Sequence, residues 1–562
     1  MTEASTPPLS RRTGLSHPAP LPLHTWACGL VLALLPIAPQ VLSGLVVIDW
    51  TDTVEVGVVG WMEAVAVLLW ATSRHALASA TVRWLPPLLA AWLAAMVVTS
   101  IAATDGAMAL VRTTEWIGHL AFGTVVWTDA RRDARTWRVI GGGAGVGFLV
   151  VVLTALGTGM SVDGPAVAYN WASAFPLLHG VRCLGFYALV GIAVGMWPWL
   201  GGSTSRWTKA GGLVVQTIGW SALWWSASRA SCLGALVGSA YLIWMLEGKR
   251  WQTAGMLVGV AMLGAMVSLA VPADPEYAGM WRLFAGPPEG TGVAGFSSGR
   301  TDLWVAVWEA WQHSPWVGQG PGSPAWLLLP LGFVHAHNAL LHALAEWGVL
   351  GTFPFVAITL GLIGRALRER HEARTPAALV AAAYALAAGA TSMLDGLLND
   401  PATTALMVVA AVAVLQPRAS EPSAVQPASV VLSRGVAGAG VWTGVVMTAH
   451  LVALAALWAP GVPAPESVRA RYVLAASAHP DAKIVEGWAR AWMHSAPADA
   501  DRVVAWGLSR GGSPWLFLRL RADLALSRGD TVRAEADFRR AAVLYQQATE
   551  PMQRYKERGA GH

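Results

Sequence analysis

Apolar positions along this chain come in long unbroken runs rather than in strand-like alternation. Runs near the roughly 20 residues that cross a bilayer as a helix begin around 25, 55, 84, 108, 139, 181, 210, 230, 252, 343, 376, 402 and 436. The pattern predicts an all-α fold, a polytopic membrane helix bundle of about 12–13 transmembrane helices. The run at 402 is short and reads as a tilted or half-buried helix. After about 464 the apolar positions thin to helical periodicity, which predicts a soluble helical domain at the C-terminus. The expected division is therefore a segment 1–24, a multi-span domain 25–463 with a large loop at about 272–342, and a helical tail 464–562.

The arginines orient these runs. Arg11/Arg12, Arg74/Arg83, Arg131/Arg132/Arg135/Arg138, Arg206/Lys209, Lys249/Arg250, Arg365/Arg368/Arg370 and Arg418/Arg434 fall on alternate connections, which the positive-inside rule makes cytoplasmic. The intervening connections, including the 272–342 loop, then face outward, and an odd number of spans puts the tail outside with them. The Pro/Ser-rich stretch 416–434, "QPRASEPSAVQPASVVLSR", reads as a cytoplasmic linker. Pro18, Pro20 and Pro22 separate the first arginine pair from its apolar run, so the first span is expected to stay uncleaved.

Composition agrees and narrows the class. Charged residues are 13% of 562 and apolar residues 55%, and an excess of 38 Lys+Arg over 33 Asp+Glu is too small to imply a nucleic-acid partner. Cys28, Cys183 and Cys232 lie singly inside apolar runs, with no disulfide or metal spacing. The 31 tryptophans suit aromatic belts at two membrane interfaces.

Four outward segments carry candidate chemistry. In "HAHNALLHALAEWGVLG", residues 335–351, His337 is the candidate proton acceptor and Asn338 suits a helix N-cap. His335 and His342 read as supporting groups, and His342 and Glu346, four apart, as a pair on one helix face. His335 and His337 lack an acidic or cysteine companion at zinc spacing, so no metal is expected. In "SSGRTDLWVAVWEAWQHS", Arg300, Trp304, Val307/Trp308 and Trp311 recur at helical spacing, predicting a helix on the membrane surface with a cationic start. Arg229, in "WWSASRASCLG", interrupts an apolar region, and an arginine at membrane depth is a functional suspect. Two guanidinium forks and a histidine at one face suit a lipid-linked diphosphate whose sugar passes to a hydroxyl. Such a donor carries its own activated leaving group, so neither a cofactor nor a metal is required. Asp395 and Asp400, in "MLDGLLNDPATT", are rival bases, and Gly318, Gly320 and Gly322 are turn formers.

The same residues resemble a family. His337, Asn338, Gly348 and Gly351 fit the H-N-x9-G-x-x-G signature of the bacterial O-antigen ligase and polymerase superfamily. Arg229 and Leu233 fit its R-x3-L element, and Arg300, Pro315, Gly318, Gly320 and Gly322 resemble its outer-loop segment. The resemblance covers roughly 220–360 and implies a multi-pass protein of the bacterial inner membrane with a periplasmic active site. It implies an enzyme that transfers a glycan from undecaprenyl diphosphate to a glycolipid, a growing glycan or a protein. His337 would be catalytic, Arg229 and Arg300 would bind the diphosphate, and Asn338, His335 and Glu346 would support them. The thirteenth span and external tail depart from the simple ligase pattern and leave the acceptor open.

In that tail, Ala522, Gly529-Asp530, Ala534, Phe538 and Ala541 resemble one tetratricopeptide repeat, which implies a protein partner; a helical hairpin capping the membrane domain fits the same residues. Asp499 in "ADAD" reads as a helix N-cap. From another functional class, a non-enzymatic polysaccharide assembly scaffold would need neither the histidine nor the two arginines.

Overall fold

A computed structural model describes residues 20–46, 51–73, 77, 82–103, 106–161, 177–178, 181–200, 205–273, 278–284, 300–324, 328, 335–368, 375–416, 430–458, 497–510 and 514–543. Among the described residues every regular element is helical. Hydrocarbon offers no partner to a free peptide group, so a membrane chain satisfies its backbone within helices.

The elements are α1 (Leu23–Leu34), α2 (Ala38–Val46), α3 (Thr51–Thr72), α4 (Leu85–Ala102), α5 (Gly106–Arg132), α6 (Thr136–Ser161) and α7 (Val181–Leu200). There follow α8 (Arg206–Ser226), α9 (Arg229–Met245), α10 (Arg250–Ala270), the short α11 (Trp281–Phe284) and α12 (Arg300–Gln312). Next come α13 (Ala339–Arg368), α14 (Pro376–Ser392), α15 (Pro401–Val414) and α16 (Val430–Trp458), and in the tail α17 (Pro497–Arg510), α18 (Pro514–Ser527) and α19 (531–543). A helix stands at each predicted apolar run. Among the described residues seven, in α3, α4, α6, α7, α10, α13 and α16, are long and apolar enough to cross a membrane, and α1, α9, α14 and α15 are shorter apolar helices. Long α5 and α8 carry more polar residues. The protein is a multi-pass membrane protein.

The bundle has two chemically distinct ends. At one, Arg365 donates to Val414 O and Gln416 O at 3.0 and 3.3 Å, Tyr241 to Ala366 O at 3.3 Å, and His24 meets Asp129 at 3.1 Å. These bonds gather the ends of α5, α9, α13 and α15 with the start of α1, and this is where Arg131, Arg132 and Arg368 lie. The opposite end gathers the starts of α5, α9 and α13 with the end of α14, and holds His337, Arg229 and Arg300.

Small residues let the helices meet closely, as expected where lipid supplies no hydrophobic drive. A Cβ on Gly143 of α6 would lie 2.0 Å from Gly29 O of α1, and one on Gly195 of α7 would lie 2.6 Å from Gly212 O of α8. Bulk supplies the complement near the functional end. Trp92, Trp116 and Trp347 pack edge-to-face with centroids 5.1–5.9 Å apart. Phe353, Leu360 and Met262 point outward, as lipid-facing side chains do.

In the tail, Ala522, Ala525 and Ala534 are buried together with Phe538 against them, and Gly529 turns the chain at φ 79°. Arg521 of α18 grips Asp537 of α19 through two bonds of 2.8 and 2.7 Å. The spacing read from sequence thus forms a two-helix hairpin; 464–496 and 544–562 lie outside the described residues. Asp499 is inside the first turn of α17, which begins at Pro497, so it is not the cap.

Gly143→Ala forces a methyl group against backbone, whereas Gly142→Ala meets nothing within 4 Å. Overpacking of this kind costs about 1–3 kcal/mol, so Gly143→Ala should melt well below the parent and Gly142→Ala should not. Equal melting of the two in detergent would refute the α1–α6 crossing.

Candidate functional site

The functional end is organised around Asp395, in the turn between α14 and α15. Its Oδ1 accepts from His337 Nδ1 at 2.7 Å and from the Gly396 amide at 2.9 Å, and its Oδ2 meets Arg300 at 3.4 Å. The carboxylate is only 6% exposed. Burial alone would push its pKa up, but the His337 hydrogen bond and the charges of His337 and Arg300 outweigh burial and hold it well below the usual carboxylate range. An ionised carboxylate only accepts, so the pairing keeps a proton of His337 on Nδ1, and in the neutral ring the basic lone pair is then on Nε2.

His337 reaches this position at a cost. It is in the left-handed region at φ 48°, which in a non-glycine residue stores roughly 1–3 kcal/mol. The next residue secures it: Asn338 Oδ1 accepts from Leu341 N at 3.0 Å, capping α13, while its amide donates to Met393 O at 3.1 Å. His335 packs edge-on to His337, centroids 4.0 Å apart, and against Gly396. Burial, reinforced by the neighbouring His337, pushes the His335 imidazole well below its ordinary value and favours its neutral form.

The cationic side has more members than the sequence suggested. Arg300 opens α12; burial, together with the charges of Arg182 and Arg229, holds its pKa below the arginine norm in spite of Asp395. Arg229 opens α9 after an N-cap at Ser228, is exposed, and donates to Arg282 O at 3.4 Å. Arg182, at the second position of α7, therefore shares this electrostatic field with the two predicted arginines. Its signal in the sequence was a lone arginine at the outward start of an apolar run.

The glycine signature has a structural meaning. Gly348, φ 56°, breaks α13 in two, and the segment 315–320 fills the break. Gln319 N and Gly320 N donate to Ala345 O and Glu346 O at 2.7 and 3.0 Å, while Val349 N and Leu350 N donate to Pro315 O and Trp316 O at 2.9 and 3.1 Å. The loop caps both half-helices, which satisfies backbone that hydrocarbon would leave orphaned. A Cβ on Gly348 would lie 2.4 Å from Trp316 O. Gly318, Gly320 and Gly322 all have positive φ, as turn formers should. Glu346 Oε1 fastens the end of the loop, accepting Gly322 N at 2.7 Å and pairing with His342 at 3.2 Å.

The face of α12 buried in the protein is Leu303 and Val307, packed with Leu328, Ala336 and Ala345; Val307 is the member of the predicted stripe that lies on it. Trp304 and Trp311 donate to Ala336 O and Pro315 O at 3.0 and 3.1 Å, and Trp308 is exposed. Asp400, offered as a rival base, is the N-cap of α15, accepting from Ala402 N and Thr403 N. Asp395, the other rival, is the partner of His337.

Residues 214–356, a quarter of the chain, match the family described as O-antigen ligase. The stretch includes Arg229, Arg300, His337, Asn338 and Gly348. Comparison with curated proteins finds no match. Over that stretch the chain is similar to the O-antigen ligase family.

Because the folded Asp395 carboxyl titrates below its unfolded value of about 3.9, its stabilising effect is complete above that value and fades as pH falls through the folded one. Asp395→Asn should melt below the parent by a constant margin between about pH 5 and 7, and the margin should shrink below about pH 4. A margin independent of pH would contradict the ionised pairing.

Proposed function

We propose that the protein transfers a glycan from undecaprenyl diphosphate to an acceptor hydroxyl at the outer face of the bacterial inner membrane. The observation that carries this reading is the meeting of a carboxylate-oriented histidine with Arg300 and Arg229 at one end of a membrane bundle. Arginine-rich connections at the other end support an outward, periplasmic orientation for the site.

In this mechanism Nε2 of His337 takes the proton of the acceptor hydroxyl as its oxygen attacks the anomeric carbon. The bond from that carbon to the diphosphate oxygen breaks with inversion, and undecaprenyl diphosphate leaves. Asp395 balances the imidazolium that forms. Arg300 and Arg229 match the phosphate oxygens and neutralise the charge on the departing group. Asn338, His335 and Glu346 hold the loop and the histidine in place. The donor is already activated, so the displacement needs no nucleotide and no metal. Lipid A core, a growing glycan and a protein hydroxyl are acceptors for the same chemistry. The tail hairpin favours a protein acceptor or partner, since helical repeats present concave peptide-binding surfaces.

His337→Ala should slow single-turnover transfer from a radiolabelled donor by about 10²–10⁴, the scale for losing a general base, with donor binding retained. His335→Ala and His342→Ala should lose much less. Arg229→Lys keeps charge but loses the planar fork, so it should weaken transfer, and Arg229→Ala should do so further. Full transfer by His337→Ala would sink the base, and full transfer by Arg229→Ala the diphosphate role. For orientation, alkaline phosphatase fused after residue 475 should be active and after residue 425 inactive; the reverse would refute the outward tail.

A further inference from the structure

Arg112 lies about a turn and a half into α5, counted from the end of the bundle that holds His337. Its side chain is only 12% exposed, and a guanidinium held largely away from water is costly, so its retention calls for a reason. Its contacts supply one. Nη1 donates to Glu115 Oε2 at 2.8 Å, and Nη2 donates to Asn399 twice, to the side-chain oxygen at 2.8 Å and to the backbone carbonyl at 3.2 Å.

Asn399 closes the 3-10 turn Leu397–Asn399, which connects Asp395 to the Asp400 cap of α15. Within it Asn399 N donates to Gly396 O at 2.9 Å, and Thr403 Oγ1 donates to Leu397 O at 2.7 Å. One side of the turn is thus held by its own helix and the other by Arg112. The same arginine borders the loop that α13 clasps, since a Cβ on Gly322 would lie 3.2 Å from Arg112 Cγ. Behind it the anchor continues through the membrane interior: Glu115 Oε1 is 3.5 Å from His119 Nε2, and His119 Nδ1 meets both Glu63 oxygens at 2.8 and 2.9 Å. Glu63, Glu115 and His119 are all buried, so the chain of charges cannot relax into water without unpacking α3 against α5.

We infer that Arg112, braced by Glu115, is a positioning residue for the transfer reaction: it fixes the 395–400 turn and thereby the aim of His337 at the acceptor. It touches neither substrate nor reacting atoms and acts through Asp395. This rests on the assignment of His337 as the base.

The test uses the full chain in nanodiscs and measures single-turnover rate at saturating donor, donor Kd and melting temperature. Arg112→Met should slow transfer by about 10–100-fold, the scale for sub-ångström misplacement of a reacting group, with donor Kd within about 3-fold of the parent. Arg112→Lys, which keeps one donor, should recover part of the rate. Because the two residues act in series, adding Arg112→Met to Asp395→Asn should cost less than about 3-fold more. A merely structural arginine would instead multiply the two losses. Parental rate in Arg112→Met, or independent losses in the double variant, would overturn the inference. Should Arg112→Met fail to insert, Asn399→Ala carries the test: slower transfer at unchanged donor Kd supports the inference, and parental rate overturns it. Parental transfer by His337→Ala would instead mark failure of the base assignment, whatever Arg112→Met does.

Discussion

A carboxylate that is almost fully covered at the rim of a membrane bundle has to be matched by positive charge, and the site depends on how Asp395 is matched. Its oxygens draw His337 from the start of α13 and Arg300 from the start of α12 to a turn between α14 and α15. Three segments distant in the chain are thereby fixed to within a hydrogen bond. Removing any one partner would leave a charge poorly compensated in a low-dielectric place, which is a stiffer constraint than apolar packing imposes. The left-handed backbone at His337 is tolerated for the same reason, because Asn338 and Asp395 over-determine its position.

The second constraint is the break in α13. A continuous helix through Gly348 would carry its own hydrogen bonds and exclude the loop 315–320. With the helix broken, the loop supplies the missing donors and acceptors and becomes part of the bundle. This carries α12, and Arg300 with it, to the level of His337. Gly348 of the signature is thus a requirement of backbone geometry that brings the cation and the histidine to one level.

Much of this was legible in the sequence because it is local or periodic. Each apolar run became a helix, Asn338 became the cap its residue type suggested, His342 and Glu346 paired across one turn, and the positive-φ glycines sat where turns were expected. What was not legible is long-range. Asp395 meets His337 across 58 positions and Arg300 across 95, and Arg112 reaches Asn399 across 287. No spacing rule encodes such pairs, so Asp395 read as a competitor of His337 when it is its partner, and Arg112 carried no signal beyond its charge.

The account stands or falls on a hydroxyl displacing polyprenyl diphosphate at this site. The most direct measurement is transfer by the purified protein from a defined undecaprenyl-diphosphate glycan, with lipid A core, oligosaccharide and protein acceptors offered separately. The account predicts that one acceptor gains an inverted glycosidic bond while undecaprenyl diphosphate is released in equal amount. Donor that binds the protein yet stays intact with every acceptor, or a product that retains the donor's anomeric configuration, would contradict it.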